Sequence, residues 1–485
     1  MNVYFSDYFG IDPLLLEEYG ALNISLINDL PLFVDPFLLF NSEKEQYRKL
    51  HDDIINYLRF LREISSSDGV RLGLIKSWYL FPEIKQNWLG YSKVGNGGSG
   101  LGHKFANALN ANLNSIFNNF GKEEVTKGSH LEKLCLVKEG VGRDNISDFT
   151  MNLIKGFLCE YTQDFAKQHI GKSGAKKVSV RHVLFNYKTR SWEHGIYYLP
   201  YIDGDYVLLT PKDILTKDDT WINKHDLIGD FDEIAHSLPN AELRAQVNEY
   251  FLRLLPDNAK KKDIDRAAAR VYLQYPELID HYIRYKEDHG NEAEKLSASK
   301  VKATENLFIE GVEKLIRELG RSSEFFEKNW DTFEEAYQRV VYLKQVIEKN
   351  DGYRFFYVKG EPVKRESDLQ LIFRLTWFAS PSDVNSEVNN GRGPVDYKIS
   401  RGDKDKTLVE FKLASNSKLK ANLENQVKVY EQANNTRKSI KVILYFDDTE
   451  LNKLLRTLKE LNLNPGKELI LIDARKSNKP SGSNA

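Results

Sequence analysis

The chain has 485 residues, 41% of them hydrophobic and 29% charged, the balance of an ordinary globular protein rather than a collagen-like or wholly disordered one. At roughly 150 residues per domain this length predicts about three folding units. The formal charge of −1 hides an asymmetry: residues 351–485 carry 24 lysines and arginines against 18 acidic residues, leaving 45 against 52 elsewhere, so only the C-terminal part has a net attraction for polyanions.

No run of about 18 apolar residues occurs, and the nearest approach, "LPLFVDPFLLF" at 30–40, is broken by Pro31, Asp35 and Pro36. The opening "MNVYFSDYFG" has no basic region followed by an apolar core, so neither a membrane span nor a secretory signal is expected, and the expected location is the cytoplasm. Cys135 and Cys159 form neither a C-x-x-C pair nor a zinc spacing and read as buried thiols.

Residues 1–175 read as a mainly helical region. In "LHDDIINYLRFLREI" (50–64), Ile54, Ile55, Leu58, Leu61 and Ile64 recur at helical spacing. A G-x-G-x-x-G at Gly95, Gly97 and Gly100 precedes a helix. No convincing strand leads into it and no G-K-[ST] follows, so it reads as a turned loop rather than a nucleotide site, with Lys93, His103 and Lys104 as candidate nucleic-acid contacts. Ser147 reads as a helix start with Asp148 in its first turn.

Residues 176–350 read as a small antiparallel sheet ("KVSVRHVLFNY", "GIYYLPYI", "DYVLLTP") followed by helices. Lys212 and Lys217, just past its last strand, are candidates for a phosphate backbone, though solvated lysines are the commoner outcome. The turn signal "KNDG" at 349–352 marks a boundary.

From 351 to 476 the pattern is a helix at 366–379, a short strand "VNSEVNN", a hairpin "GPVDYKISRGDKDKTLVEFKL", a helix at 417–434, the apolar strand "IKVILYF", a helix at 449–461 and the strand "ELILID". Residues 477–485 read as a disordered tail. In the hairpin, Asp396 lies opposite the strand face of Val395, Tyr397 and Ile399, while Glu410 and Lys412 lie opposite the face of Val409, Phe411 and Leu413. A turn centred on 402–405 brings residue 396 across from 410 or 411, and the 410 register makes the two carboxylates converge, with Lys412 one pleat along. Two carboxylates suit Mg²⁺, which takes hard oxygen ligands, and a neighbouring ammonium can orient water and offset phosphate charge. A bare D…E-x-K is also what a solvated hairpin carries by accident.

With its flanking helix, three-strand meander, helix and strand, this segment resembles the PD-(D/E)XK nuclease superfamily, on "GPVD" and "EFK". The resemblance implies that Asp396, Glu410 and the backbone carbonyl of Phe411 bind a divalent metal, and that Lys412 is the catalytic lysine. Glu366 in "RESDLQ" resembles the accessory acid of the preceding helix, although it and Asp368 could equally stabilise a helix N-terminus. Gln426 and Tyr430 in "QVKVY" are similar to the Q-x-x-x-Y element of the RecB-like branch, where they support the site.

The expected fold is therefore an α/β C-terminal nuclease core, a mixed sheet flanked by helices in α-β-β-β-α-β order, joined to a mainly helical α+β N-terminal region. The expected activity is Mg²⁺-dependent DNA endonuclease chemistry, with Mn²⁺ able to substitute, of a bacterial restriction or antiphage defence kind. The N-terminal region would then serve recognition, assembly or regulation, with a homo-oligomer or an activating protein as partner and no membrane. A non-catalytic scaffold retaining the fold, or an RNA nuclease, is the alternative. No H-E-x-x-H, H-x-H or G-x-S-x-G occurs, which disfavours zinc and serine-hydrolase chemistry.

Overall fold

The computed structural model describes residues 3–65, 72–90, 101–116, 123–137, 141–217, 219–256, 258–313, 330–349, 353, 356–358, 361–362, 366–377, 380, 382–389, 394–402, 405–424 and 438–478. Gln426, Tyr430, the Gly95–Gly100 loop and most of the C-terminal tail lie outside these. Among the described residues no helix is long and apolar enough to cross a membrane.

The N-terminal region is built on helices α1 (Pro36–Asn41), α2 (Glu45–Ser65), α3 (Arg143–Leu153) and α4 (Lys155–His169). The periodic apolar residues of α2 are buried as expected, Ile54, Leu58 and Leu61 completely. Helix α3 begins at Arg143, with Asn145 Oδ1 accepting from Gly142 N, rather than at Ser147. Ser147 is buried mid-helix, and its hydroxyl accepts from Val34 N, 113 residues away.

Helix α4 packs on a long antiparallel ribbon, β1 (Ala175–Asn186) and β2 (Ser191–Ile202), which the short β3 (Asp205–Tyr206) extends at one edge. The expected strand "DYVLLTP" stops at Tyr206. Leu208 and Leu209 are buried in a loop instead, their amides donating to Gln86 O and Thr162 Oγ1. Helices α5 (Ala241–Leu254), α6 (Lys261–Gln274), α7 (Glu277–Asp288) and α8 (Gly290–Glu305) follow.

Asp35 caps α1, accepting from Phe37 N at 3.0 Å and Trp221 N at 2.7 Å. It is wholly buried beside the equally buried Glu132. Burial pushes Asp35 up to about 6, and burial with the neighbouring Asp35 charge pushes Glu132 well above its ordinary value. The folded chain thus holds protons that the unfolded chain releases, so the contribution to stability is present at acid pH and lost as pH rises, from 3.8 through about 6 for Asp35 and upward from 4.5 for Glu132. Glu132→Gln keeps the shape and removes one titration, and is expected to flatten the decline in melting temperature as pH rises above 4.5. An unchanged slope would exclude Glu132 as its source.

The C-terminal unit is a five-stranded mixed sheet. Its strands are β4 (Asp383–Asn389), β5 (Pro394–Arg401), β6 (Asp405–Leu413), β7 (Ser439–Tyr445) and β8 (Leu469–Asp473), in the order β8-β7-β6-β5-β4. The pairs β4–β5 and β5–β6 are antiparallel, and β6–β7 and β7–β8 are parallel. Helices α9 (Thr332–Lys349) and α10 (Glu366–Leu375) cover one face. There Phe373 of α10 packs on Tyr397 and Phe411 at centroid distances of 5.5 and 4.8 Å. On the other face Leu454 and Leu458 of α11 (Asp448–Glu460) join Leu419, Leu423, Ile443, Tyr445 and Leu469.

Helix α9 was expected to belong with residues 176–350. It packs on four strands of the C-terminal sheet. The strand ends that flank the hairpin turn are less solvated than their charges suggest: Asp405 accepts from Thr332 N at 2.9 Å and Lys438 Nζ at 2.9 Å, and Arg401 meets Glu335 at 3.0 Å.

Candidate active site

Strands β5 and β6 pair with Tyr397 opposite Val409, and continuing that register by one residue carries Asp396 across from Glu410. Tyr397, Val409, Phe411 and Leu413 point into the core under α10 and are buried, which turns Asp396, Glu410 and Lys412 to the opposite face. The alternation that packs the core therefore also gathers the charges.

The side chains converge on one ammonium. Lys412 Nζ lies 3.3 Å from Glu410 Oε1, 3.4 Å from Glu366 Oε2 and 3.9 Å from Asp396 Oδ2, and donates to Phe411 O at 3.0 Å. Asp396 Oδ2 also accepts from Phe411 N at 2.6 Å. Glu366, the first residue of α10, reaches over the carboxyl end of β6, where Oε1 accepts from Leu413 N at 3.2 Å and Asn416 Nδ2 at 2.8 Å. It is thus a member of the cluster rather than a partner of its own helix terminus. The position of α10 does not depend on this contact. Leu369, Ile372 and Phe373 are buried, each contributing roughly 1.5–3 kcal/mol, so core packing delivers Glu366 to the site.

Only about an eighth of each of the Asp396, Glu410 and Lys412 side chains is exposed, and burial is the largest influence on the two carboxyls. It pushes Asp396 up to about 7, against the pull of Lys412, and raises Glu410 less, with Lys412 and Lys441 opposing. Burial alone would lower Lys412, but Asp396, Glu410 and Glu366 outweigh it and hold the ammonium above its ordinary range. Three carboxylates in contact with one ammonium leave an excess of negative charge in a poorly hydrated place, an arrangement that favours a further cation.

The described residues hold no group of three or more histidine, cysteine, aspartate or glutamate side chains set as a ready metal cage. The donors available here are two carboxylates and a backbone carbonyl, a set that suits a metal keeping several waters.

Asn416, which positions Glu366, was not foreseen; it sits in the turn after β6, where no periodicity marks it. Lys441, paired with Glu410 across the parallel strands, had a visible signal as the lone charge within "IKVILYF". Other expected residues go elsewhere. Asp368 meets Lys217 at 3.9 Å, with both side chains largely buried. Lys212 pairs with Glu17 and, at 3.0 Å, with Glu305. Neither lysine is a solvated one held ready for a phosphate backbone. Cys135 and Cys159 are buried free thiols, as expected.

Residues 10–223 match a domain of unknown function (DUF8370), and residues 332–448 match a second domain of unknown function (DUF8371). The second match begins at the first residue of α9, the helix that packs on the C-terminal sheet. No curated protein and no solved structure matches the chain.

Proposed function

We propose that this protein is a metal-dependent nuclease of the PD-(D/E)XK type, hydrolysing phosphodiester bonds in DNA, with its active site at the carboxyl end of β6. The observation that carries the reading is the convergence on the Lys412 ammonium of Asp396 and Glu410, from adjacent strands of a mixed sheet, and of Glu366, from the start of α10. A solvated hairpin would leave these groups exposed and apart. Here they are largely shielded from solvent and share partners.

Magnesium fits the donor set, because Asp396 Oδ2, Glu410 Oε1 and Phe411 O already face one cation, the lysine ammonium, and all three are hard oxygens. When bound, Mg²⁺ or a substituting Mn²⁺ would polarise the phosphate and acidify a water. Lys412 orients the attacking water and offsets charge developing on the phosphate. Glu366 holds that ammonium in place, itself fixed by Leu413 N and Asn416. Gln426 and Tyr430 keep the supporting role that the resemblance gives them. The region before Thr332 then serves recognition, assembly or regulation, in a cytoplasmic restriction or antiphage setting.

The test incubates purified protein with supercoiled plasmid, single-stranded DNA and RNA in Mg²⁺, Mn²⁺ or EDTA. Metal-dependent cleavage of DNA that EDTA abolishes is expected. Cleavage surviving EDTA would overturn the mechanism, and cleavage of RNA alone would overturn the choice of DNA.

A further inference from the structure

Between Lys172 and Ile202 the chain carries six lysines and arginines and one glutamate, inside an N-terminal region that is acidic as a whole. Lys172, Lys176, Lys177, Arg181, Lys188 and Arg190 are all exposed. None of them is ion-paired with a carboxylate among the described residues, in contrast to Lys212, Lys217 and Lys286, each of which meets an acid.

Lys176, Lys177 and Arg181 lie on β1 of the β1–β2 ribbon, Lys172 just precedes it, and Lys188 and Arg190 lie in the turn that joins its strands. One face of the ribbon packs on α4, burying Val180 and Leu199, which holds the ribbon against the body of the protein. The other face is open: Lys177 pairs with Tyr198, Ser179 with Ile196 and Arg181 with His194, and Ile196 is 73% exposed. Lys176 sits at the start of β1, while Lys188 and Arg190 mark the turn at the far end. Twelve residues at about 3.4 Å each make a rod of about 40 Å, close to one turn of duplex, about 34–36 Å. A two-stranded ribbon also fits a major groove roughly 12 Å wide.

We propose that the exposed face of the β1–β2 ribbon is a docking surface for duplex DNA, gripping the phosphate backbone through Lys177, Arg181 and the cations at its ends. Phosphate contacts of this kind fix orientation without reading sequence, and Ile196 at the centre of the face offers an apolar contact of the sort a thymine methyl accepts. The choice of DNA among polyanions rests on the nuclease reading; the capacity to hold a duplex does not.

Fluorescence anisotropy in EDTA tests it, using the full chain and a labelled DNA duplex about three helical turns long, with an RNA duplex and polyglutamate as competing probes. The Lys177→Glu/Arg181→Glu variant is expected to bind the DNA at least about tenfold more weakly, its salt slope reduced by roughly 0.9 per lost phosphate contact. Ser179→Glu, which adds a negative charge to the middle of the same face, is expected to weaken binding too. Lys261→Glu/Lys262→Glu, exposed on α6, is expected to leave it unchanged. Circular dichroism and melting should match wild type in all three, because every altered side chain is exposed.

Wild-type affinity and salt slope in both ribbon variants would overturn the proposal, as would preference for polyglutamate or for RNA. Metal-dependent cleavage alongside unaltered binding would sink the ribbon and spare the nuclease reading. Ribbon-dependent binding by a protein that cleaves nothing would do the reverse.

Discussion

Lys412→Ala is expected to lower metal-dependent cleavage by about 10²–10⁴-fold, the usual contribution of a positioned proton-handling group, while leaving the fold intact. Asp396→Asn is expected to be as inactive but to differ in stability, and that difference separates a catalytic carboxylate from a structural one. Asp396 titrates at about 7 in the folded chain against an ordinary 3.8. A raised carboxyl value means that the folded state holds a proton the unfolded state has released. Stability is therefore present at acid pH and declines as pH climbs from 3.8 through about 7. Asparagine removes that cost, and Lys412 keeps Glu410 and Glu366 as partners. The Asp396→Asn protein, measured without metal at pH 8, should thus melt no lower than wild type. An inactive protein that also melts markedly lower would mean that the carboxylate is structural. Lys412→Arg should not restore activity, because a planar guanidinium cannot take the place of a compact ammonium fitted between three carboxylates and Phe411 O.

The strands of the C-terminal sheet were legible because each has a pattern that depends only on its own residues. "IKVILYF" is an apolar run interrupted only by Lys441, close to what a strand between two parallel neighbours should be, and "VDYKI" with "LVEFKL" alternates. Asp396, Glu410 and Lys412 stood out as charges on the second face of such strands. What was not legible depends on distant partners. Ser147 looks like a helix cap by local chemistry, yet its hydroxyl is committed to Val34 N. "DYVLLTP" alternates like a strand throughout, but past Val207 the amides of Leu208 and Leu209 find partners in Gln86 and Thr162 rather than in a ladder. The periodicity of α9 predicts a helix and says nothing about which sheet it covers. The breaker after Lys349 reads locally as a boundary, while the helix that it ends packs on the C-terminal sheet. Lys212 and Lys217 show the same limit, since their acids lie at least 93 residues away in sequence.

The junction between α9 and the sheet carries the largest expected effect on stability. Glu335 accepts from Ser380 and Ser382 at 2.7 Å each and meets Arg339 and Arg401 at 3.0 Å. Arg339 in turn donates to Thr376 O and lies over the Trp377 ring at 4.4 Å. Arg339 and Glu335 are only 2% and 5% exposed. Glu335→Ala leaves two guanidinium groups, one almost wholly buried, without this carboxylate, and is expected to cost about 3–5 kcal/mol in urea unfolding at pH 7. The exposed Lys420–Glu460 pair is expected to contribute little to stability, so a loss in Glu335→Ala no larger than that in Glu460→Ala would refute the argument. Burial works to raise the Glu335 carboxyl, but the two serines and Arg339 outweigh it and hold it below its ordinary 4.5. The stabilisation is therefore complete above pH 4.5 and is lost as pH falls through the lowered folded value, so the variant's deficit should shrink in acid. Glu335→Leu with Arg339→Met removes both buried charges together and should recover part of the loss. The recovery will be incomplete, because Arg401, Ser380 and Ser382 still face the vacated position.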